Sequence, residues 1–512
     1  MEQLIIKPSR VQGIIDIGAA KNAVLPIMAA SVLCKGQIIL NGVAQFSDIY
    51  KMMDILKNLG GKVSFDGNDL ILDCTNIHSG DIASNLTKDI RASIFLIGAV
   101  CARCGYCNIG YPGGCDIGAR PIDIHIATLK QLGIDIIEDG DTIKCVATKK
   151  LKGATISLPI KSVGVTENLI MAATLAQGTT IIKNAADEPE VQDLANFINA
   201  CGGRVLHDGK GTVIVDGIAP SNFSAINQQA NDILLSPSNQ YPQQDKVVDK
   251  KNQNVDANLS IETQNDTTKA QSIQKVDTPT QKTTQNYLHG CEYTPIRDRI
   301  IGGTYLVAGA ISLGDITICG IQDKFLQSEI AILQAMGFDI TSGNDCIRII
   351  AKSRPKPVNI TTAPFPNFAT DLQAQFMALA ALSNGTTNIT ETIFENRLNT
   401  VEQLVKMGAK IEINNKSSSQ NMHISNNLID NPLHIVQNVH SINQIAIVNG
   451  VDKLQGTIVT ATDLRGGAAL IIAGIAAMGT TTVDNIHFID RGYYQIEKDL
   501  QQVGVDIQRV NR

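Results

Sequence analysis

The residues best suited to chemistry in this 512-residue chain stand together as Tyr111-Pro112-Gly113-Gly114-Cys115-Asp116-Ile117-Gly118-Ala119-Arg120-Pro121. A cysteine lies on a glycine-hinged loop with an arginine five residues later, between two prolines that confine the backbone to few shapes. Glycines let backbone N–H groups approach a bound group, a guanidinium fork matches phosphate or carboxylate, and a thiol transfers a proton or attacks carbon. The loop therefore reads as a site for an anionic substrate.

Further charged residues stand at turns that lead into apolar helices. Lys21, in Gly18-Ala19-Ala20-Lys21-Asn22, could meet an anion at a helix N-terminus, although solvation is the ordinary fate of a lone turn lysine. Arg91, Arg397, Arg465 and Arg491 each have an acidic neighbour, respectively Asp89, Glu395, Asp463 and Asp490, and a local ion pair accounts for any one of them singly. Taken together, arginines at equivalent turns of a repeat would converge on a doubly charged phosphate plus a carboxylate. Asp371 precedes another apolar helix and suits either of two roles. It can cap the helix, in competition with Thr370, or take a proton from a hydroxyl.

Those turns belong to a pattern that recurs six times: an apolar alanine-rich helix, a glycine, a strand, a polar turn, an amphipathic helix, and a glycine opening another strand. The first joint is seen in Gly36-Gln37-Ile38-Ile39-Leu40, Gly178-Thr179-Thr180-Ile181-Ile182, Gly314-Asp315-Ile316-Thr317-Ile318, Gly385-Thr386-Thr387-Asn388-Ile389 and Gly479-Thr480-Thr481-Thr482-Val483, with a weaker copy at Gly105. The second helices close at Gly60, Gly133, Gly202, Gly337, Gly408 and Gly504, where a left-handed glycine ends a helix. Helices such as Leu169-Ile170-Met171-Ala172-Ala173 are apolar all round and must be buried, so helices are expected inside and sheets outside. The fold class read is α/β with two three-unit bodies, one formed by 1–20 with 289–512 and the other by 21–225. The polar stretch 236–284 reads as a disordered insertion and 414–443 as a smaller one.

Composition narrows the function classes. With 43 basic against 49 acidic residues the formal charge is −6, and no basic block is present, which argues against nucleic acid and anionic membrane as partners. The N-terminal residues lack the pattern of a secretory signal and the apolar runs are too short to span a bilayer, so a soluble cytoplasmic protein is expected. Eleven scattered cysteines suit reduced thiols better than a disulfide framework. Cys101, Cys104 and Cys107 have metal-ligand spacing, but no second pair or nearby histidine completes a set. They read as small buried residues of a helix over 92–104 and a strand over 107–109. Neither a metal nor a cofactor is expected.

Read as a set, these motifs resemble the UDP-N-acetylglucosamine 1-carboxyvinyltransferase family of enolpyruvyl transferases over nearly the whole chain apart from the two insertions. The resemblance rests on Lys21-Asn22, Arg91-Ala92-Ser93, the loop from Pro112 to Pro121, Ser162-Val163-Gly164, Glu188-Pro189-Glu190, Thr370-Asp371-Leu372-Gln373, Phe394-Glu395-Asn396-Arg397, Thr462-Asp463-Leu464-Arg465 and Asp490-Arg491-Gly492-Tyr493. It implies a two-domain inside-out α/β barrel and addition of phosphoenolpyruvate to the 3′-hydroxyl of UDP-N-acetylglucosamine with loss of phosphate, the first committed step of peptidoglycan synthesis. Cys115 would be the acid on a mobile lid and the site of fosfomycin alkylation, and Asp371 the base. Lys21, Asn22, Arg120, Arg397, Arg465 and Arg491 would hold phosphoenolpyruvate. Arg91, Arg120, Pro121, Ile122, Asp123, Ile124, Lys161, Ser162, Val163, Gly164, Asp371 and Ile393 would line the nucleotide-sugar pocket. The sister transfer onto shikimate 3-phosphate shares the repeat but should replace Gly113-Gly114-Cys115 and Lys21-Asn22. Departures from the family's usual pattern at Gly18-Ala19, Ile301, Ala369 and Gly466-Gly467 bear on stiffness near Lys21 and Arg465 rather than on reaction type.

Overall fold

Two kinds of helix alternate along the chain. In the computed structural model, which describes residues 2–88, 90–113, 122–219, 287–415 and 444–511, the first kind is α1 (Lys21–Ala30), α3 (Leu96–Cys104), α5 (Val163–Thr174), α7 (Arg299–Ile311), α9 (Gln373–Ala380) and α11 (Leu464–Ala476). The second kind is α2 (Ser47–Asn58), α4 (Asp123–Gln131), α6 (Pro189–Ala200), α8 (Gln327–Ala335), α10 (Val401–Lys406) and α12 (Ile496–Gln502). The first kind is apolar all round and buried on nearly every residue. α7 and α9 have none exposed. The second kind is one-sided: α2 buries Ile49, Met52, Met53 and Leu56 and leaves Asp54 and Lys57 in water.

Six sheets lie around these helices, and five share one strand pattern. An edge strand runs parallel to a second, which pairs antiparallel with a third, which pairs antiparallel with a fourth. Gln12–Asp16, Asp315–Cys319, Cys346–Ile350 and Asp339–Gly343 form one such sheet, and Thr155–Ser157, Gln177–Lys183, Thr212–Ile218 and Val205–His207 another. In the sixth, Tyr106–Gly110, Thr142–Val146 and Asp135–Asp139, the parallel edge shrinks to a single bridge between Asp81 and Asn108. A two-stranded pair, Leu288–His289 with Cys34–Lys35, stands beside them. The six helix-closing glycines, from Gly60 (φ 104°) to Gly504 (φ 88°), all occupy the left-handed region in which only glycine is unstrained. Among the buried helices α3 packs on both α1 and α5, and α7, α9 and α11 pack on one another.

Chain order and sheet membership differ at two crossings. Glu2–Ile6 pairs with Thr481–Asp484 and Ile507–Asn511, so the strand sits between two that come late in the chain. The returning segment departs from expectation, because Leu288–His289 and Glu292–Tyr293 pair with Cys34–Lys35 and Gln37–Leu40 instead of with the later units. Two-residue strands carry no periodicity to reveal a partner. The smaller insertion also begins later than read, since Asn414 and Asn415 still face Ile445 and Gln444 in the ladder. The 236–284 insertion and the remainder of the smaller one lie outside the described residues.

One further correction concerns sulfur. Cys319 and Cys346 stand directly opposite on neighbouring antiparallel strands, Cα atoms 4.1 Å apart, and are joined in a disulfide where only thiols were expected. Residues 27 apart in sequence become neighbours only through the ladder. Cys101, Cys104 and Cys107 are buried, and desolvation pushes the Cys104 thiol up to about 12.

Early and late units meet through buried charge. Arg299 at the start of α7 donates from Nε to Glu190 Oε1 of α6 at 3.1 Å, both side chains under a tenth exposed. Glu188 accepts from the Phe365 N–H at 3.3 Å, and Asp193 accepts from the Ile296 N–H at 3.1 Å.

Candidate active site

Lys21 is the first residue of α1, and no side chain caps that helix by its N-cap residue. Instead the Asp298 carboxylate accepts the Lys21 N–H at 3.3 Å while capping α7 through the N–H groups of Ile300 and Ile301, so one buried acid fixes two helix starts. The lysine is only 8% exposed, which rules out the solvated role. Its Nζ lies 3.3 Å from Asp48 Oδ2 in the first turn of α2, and the other Asp48 oxygen accepts from Arg491 Nε at 3.1 Å. Burial lowers the Lys21 pKa, Asp48 opposes that, and Arg465 and Arg491 press it down further.

A second acid collects the remaining cations. Asp371, in the 3-10 turn Thr370–Leu372 that leads into α9, accepts from Arg397 Nη2 on Oδ1 at 2.5 Å. On Oδ2 it accepts from Arg465 Nη2 at 2.9 Å and Nε at 3.2 Å. It caps no helix. Burial would raise its pKa, but the charges of Arg465, Arg397 and Lys21 outweigh it and hold the carboxyl well below the usual range. Arg465 lies over the Tyr493 ring, 5.4 Å from its centroid, and its Nη1 is buried without a partner among the described residues.

The local ion pairs open to two of these arginines from sequence are not formed. Asp463 caps α11 through the N–H groups of Arg465 and Gly466, leaving the Arg465 guanidinium for Asp371. Asp490 pairs with Arg509, leaving Arg491 for Asp48. Arg397, expected beside Glu395, pairs with Asp371. Lys21, Arg397, Arg465 and Arg491, from four turns of the repeat, thus surround Asp48 and Asp371.

Three acids in this constellation escaped the sequence reading of the site. Asp48 stands in the first turn of α2 and Asp298 caps α7, positions that helix chemistry alone explains. Glu391, fully buried at the end of Thr386–Glu391, ties the Thr370–Leu372 turn to the next loop by accepting from Thr370 Oγ1 at 2.9 Å and the Ile393 N–H at 2.8 Å. No local signal flags it, since an acid at the end of the polar strand Thr386–Glu391 reads as a surface residue.

The residues read as lining a nucleotide-sugar pocket assemble mostly on the early units. Arg91 opens the 3-10 turn Arg91–Phe95, which packs against α5, and Ser162 caps α5 by accepting from the Val165 N–H at 3.4 Å. Lys161 pairs with Asp187, whose Oδ1 accepts the Gly211 N–H at 2.7 Å. Val163 and Gly164 are half-buried at the start of α5. Asp123 and Ile124 begin α4, which packs on α5, behind buried Ile122. Between them His125, its Nδ1 3.2 Å from Asn168 Nδ2, is driven by burial and the Arg91 charge from 6.5 to about 3 and is neutral. Asn22 is exposed beside Lys21, and Ile393 follows Glu391 on the late units. Cys115, Arg120 and Pro121 lie outside the described residues, as does Asp89.

This geometry suits an anion bound by arginine and lysine next to a carboxylate that can receive a proton. The chain matches the family model for EPSP synthase (3-phosphoshikimate 1-carboxyvinyltransferase) over residues 5–226 and 258–500. The fold is that of the enolpyruvyl transferase NikO from Streptomyces tendae, with a TM-score of 0.73 at 19% identity over 100% of this chain and 99% of that one. EPSP synthase from Acinetobacter baumannii is similar with a TM-score of 0.63 at 14% identity over the whole of both chains. Among sequence relatives, UDP-N-acetylglucosamine 1-carboxyvinyltransferase 2 of Caldanaerobacter subterraneus subsp. tengcongensis is 37% identical over 98% of this chain and 97% of its own. UDP-N-acetylglucosamine 1-carboxyvinyltransferase of Cellvibrio japonicus is 35% identical over 100% of each. With this fold, these full-length relatives and four cations drawn to two carboxylates, the chain belongs to the UDP-N-acetylglucosamine 1-carboxyvinyltransferase family of enolpyruvyl transferases.

Proposed function

We propose that the protein transfers the 1-carboxyvinyl group of phosphoenolpyruvate to the 3′-hydroxyl of UDP-N-acetylglucosamine and releases inorganic phosphate. The observation that carries this reading is the convergence of Lys21, Arg397, Arg465 and Arg491 around Asp371 and Asp48. A proton delivered to the methylene carbon makes the neighbouring carbon electron-poor. The sugar oxygen attacks it as Asp371 takes the hydroxyl proton, giving a tetrahedral intermediate. Loss of a methyl proton and of phosphate then restores the vinyl group, so one carbon–oxygen bond forms and the carbon–oxygen bond to phosphate breaks. The cations keep the phosphate charge from repelling the incoming oxygen. Cys115 is assigned the proton delivery and Arg120 a share of the phosphate. Arg91, Ile122, Asp123, Ile124, the Lys161–Gly164 turn and Ile393 are assigned the nucleotide sugar.

The two sets of three buried helices are read as two inside-out α/β barrels. One comprises 21–219 with 288–293, the other 2–16 with 296–511, and they meet at Arg299 and Glu190. The test is phosphate release by the purified protein, expected only when both substrates are supplied. No phosphate above background overturns the reading and leaves a nucleotide-sugar sensor. Fosfomycin should add one covalent mass to the wild type and none to Cys115→Ala. An adduct on the alanine variant would move the acid to another thiol.

A further inference from the structure

The two carboxylates of the cation cluster differ in access. Asp48 is 4% exposed on its side chain, closed between Lys21 and Arg491. Asp371 is 26% exposed, while the arginines it binds are 4% and 3% exposed, so the carboxylate itself forms the open face of that group. Three N–H donors of Arg397 and Arg465 that an incoming anion would need are spent on this one side chain. Arg465 Nη1 remains buried and unpartnered among the described residues, a donor for which the described protein supplies no acceptor.

We propose that Asp371 is a resident anion, occupying the arginines of the phosphoenolpyruvate site until that ligand displaces it, and becoming a base for the sugar hydroxyl only on displacement. The proposal rests on the assignment of Asp371, Arg397 and Arg465 given above. A phosphate of double charge, with a carboxylate on the same molecule, satisfies two buried guanidinium forks better than one aspartate does. While both arginines bind it, Asp371 has no proton affinity near neutral pH. Once they turn to the ligand, the charges that hold the carboxyl low are reduced to that of Lys21, and the carboxyl becomes better able to hold a proton. The converse holds as well: a sugar hydroxyl that engages Asp371 releases the arginines, so each substrate must strengthen the other's binding by the same factor.

The test is calorimetric titration with phosphoenolpyruvate in a Cys115→Ala background, so that no thiol chemistry intervenes. Adding Asp371→Asn or Asp371→Ala should tighten binding at least tenfold, and Asp371→Glu should return it towards the parent. Saturating UDP-N-acetylglucosamine should tighten phosphoenolpyruvate binding several-fold in the parent, and that gain should shrink towards none in the asparagine variant. Circular dichroism establishes that each variant is folded, and the alanine variant stands in if asparagine is not tolerated. Binding no tighter than the parent, or absent from both proteins, overturns the proposal. If the wild type released no phosphate and the asparagine variant still bound tighter, the resident anion would stand and the transferase reading would fall.

Discussion

At the scale of single residues, the decisive groups are acids that arrange cations. Asp48 touches Lys21 and Arg491 at 3.3 and 3.1 Å, and a hydrogen bond to a charged group contributes about 1.5–3 kcal/mol. Asp48→Asn should therefore raise the KM for phosphoenolpyruvate by roughly tenfold or more, while the KM for UDP-N-acetylglucosamine stays within about twofold, since Asp48 is remote in function from that pocket. Steady-state kinetics with each substrate varied decides it, and a parallel rise in both constants would mean a merely structural role. His125 sets an acid limit. It stays neutral in the fold down to about pH 3 but takes a proton below 6.5 once unfolded, so its contribution is present above pH 6.5 and is lost as the pH falls. By pH 5 the loss is about 2 kcal/mol. Urea unfolding of His125→Gln should lose that much less than wild type between pH 7.5 and 5, and superimposable losses would refute the assignment. Residue types and turns announced the four cations in sequence, but their partners did not follow. Proximity in the chain suggested Asp463 and Asp490, and tertiary contact chose Asp371 and Asp48.

At the scale of elements, α11 is the tightest support of the site. A Cβ at Gly466 would come within 2.2 Å of Thr400 Oγ1 and 2.7 Å of Asp463 Oδ2, the carboxylate that caps the helix. At Gly467 it would meet Ile489 at 2.6 Å. Gly466→Ala should cost about 1–3 kcal/mol through overpacking and a disturbed cap, outweighing the roughly 1 kcal/mol that alanine gains within a helix. Because Arg465 is the preceding residue, weaker phosphoenolpyruvate binding should accompany the loss. Gly18, with nothing within 4 Å of its Cβ position, should accept alanine within about 0.5 kcal/mol. Thermal melting of the two variants separates departures that looked alike in sequence, and equal melting points would undo the distinction. The apolar helices and their glycine joints were legible because burial on all sides leaves no polar face. The parallel edge strands, two to five residues long, were not, because so short a run carries no periodicity, and two of them, Glu292–Tyr293 and Gln12–Asp16, pair with strands more than two hundred residues away.

At the scale of the molecule, early and late units are joined by charge held away from water. Arg299 balances Glu190, with Glu329 and Glu188 also near enough to raise its pKa. Arg299→Met would strand these carboxylates, at a cost of about 3–5 kcal/mol for a broken buried pair. Lowering the pH protonates stranded acids in the folded state, so the deficit should be smaller at pH 5 than at pH 8. Denaturant unfolding at both values checks this, and a deficit independent of pH would show that packing, not charge, was lost. Sequence conveyed that three units precede and three follow the polar insertion. It was silent on this junction, since Glu188-Pro189-Glu190 and Asp298-Arg299 are more than a hundred residues apart and each reads as the start of its own helix.

The strand Glu2–Ile6 also bears on how the protein is made. It is synthesised well before its two neighbours in the sheet, Thr481–Asp484 and Ile507–Asn511. At about 5–20 residues per second, Leu4 and Ile6 wait roughly 25–100 s for the partners that bury them. The early units, whose helices and sheets are complete apart from Leu288–Tyr293, have that interval in which to fold around an unpaired apolar strand. Until that late capture an apolar strand stands without its ladder partners, which is an aggregation hazard.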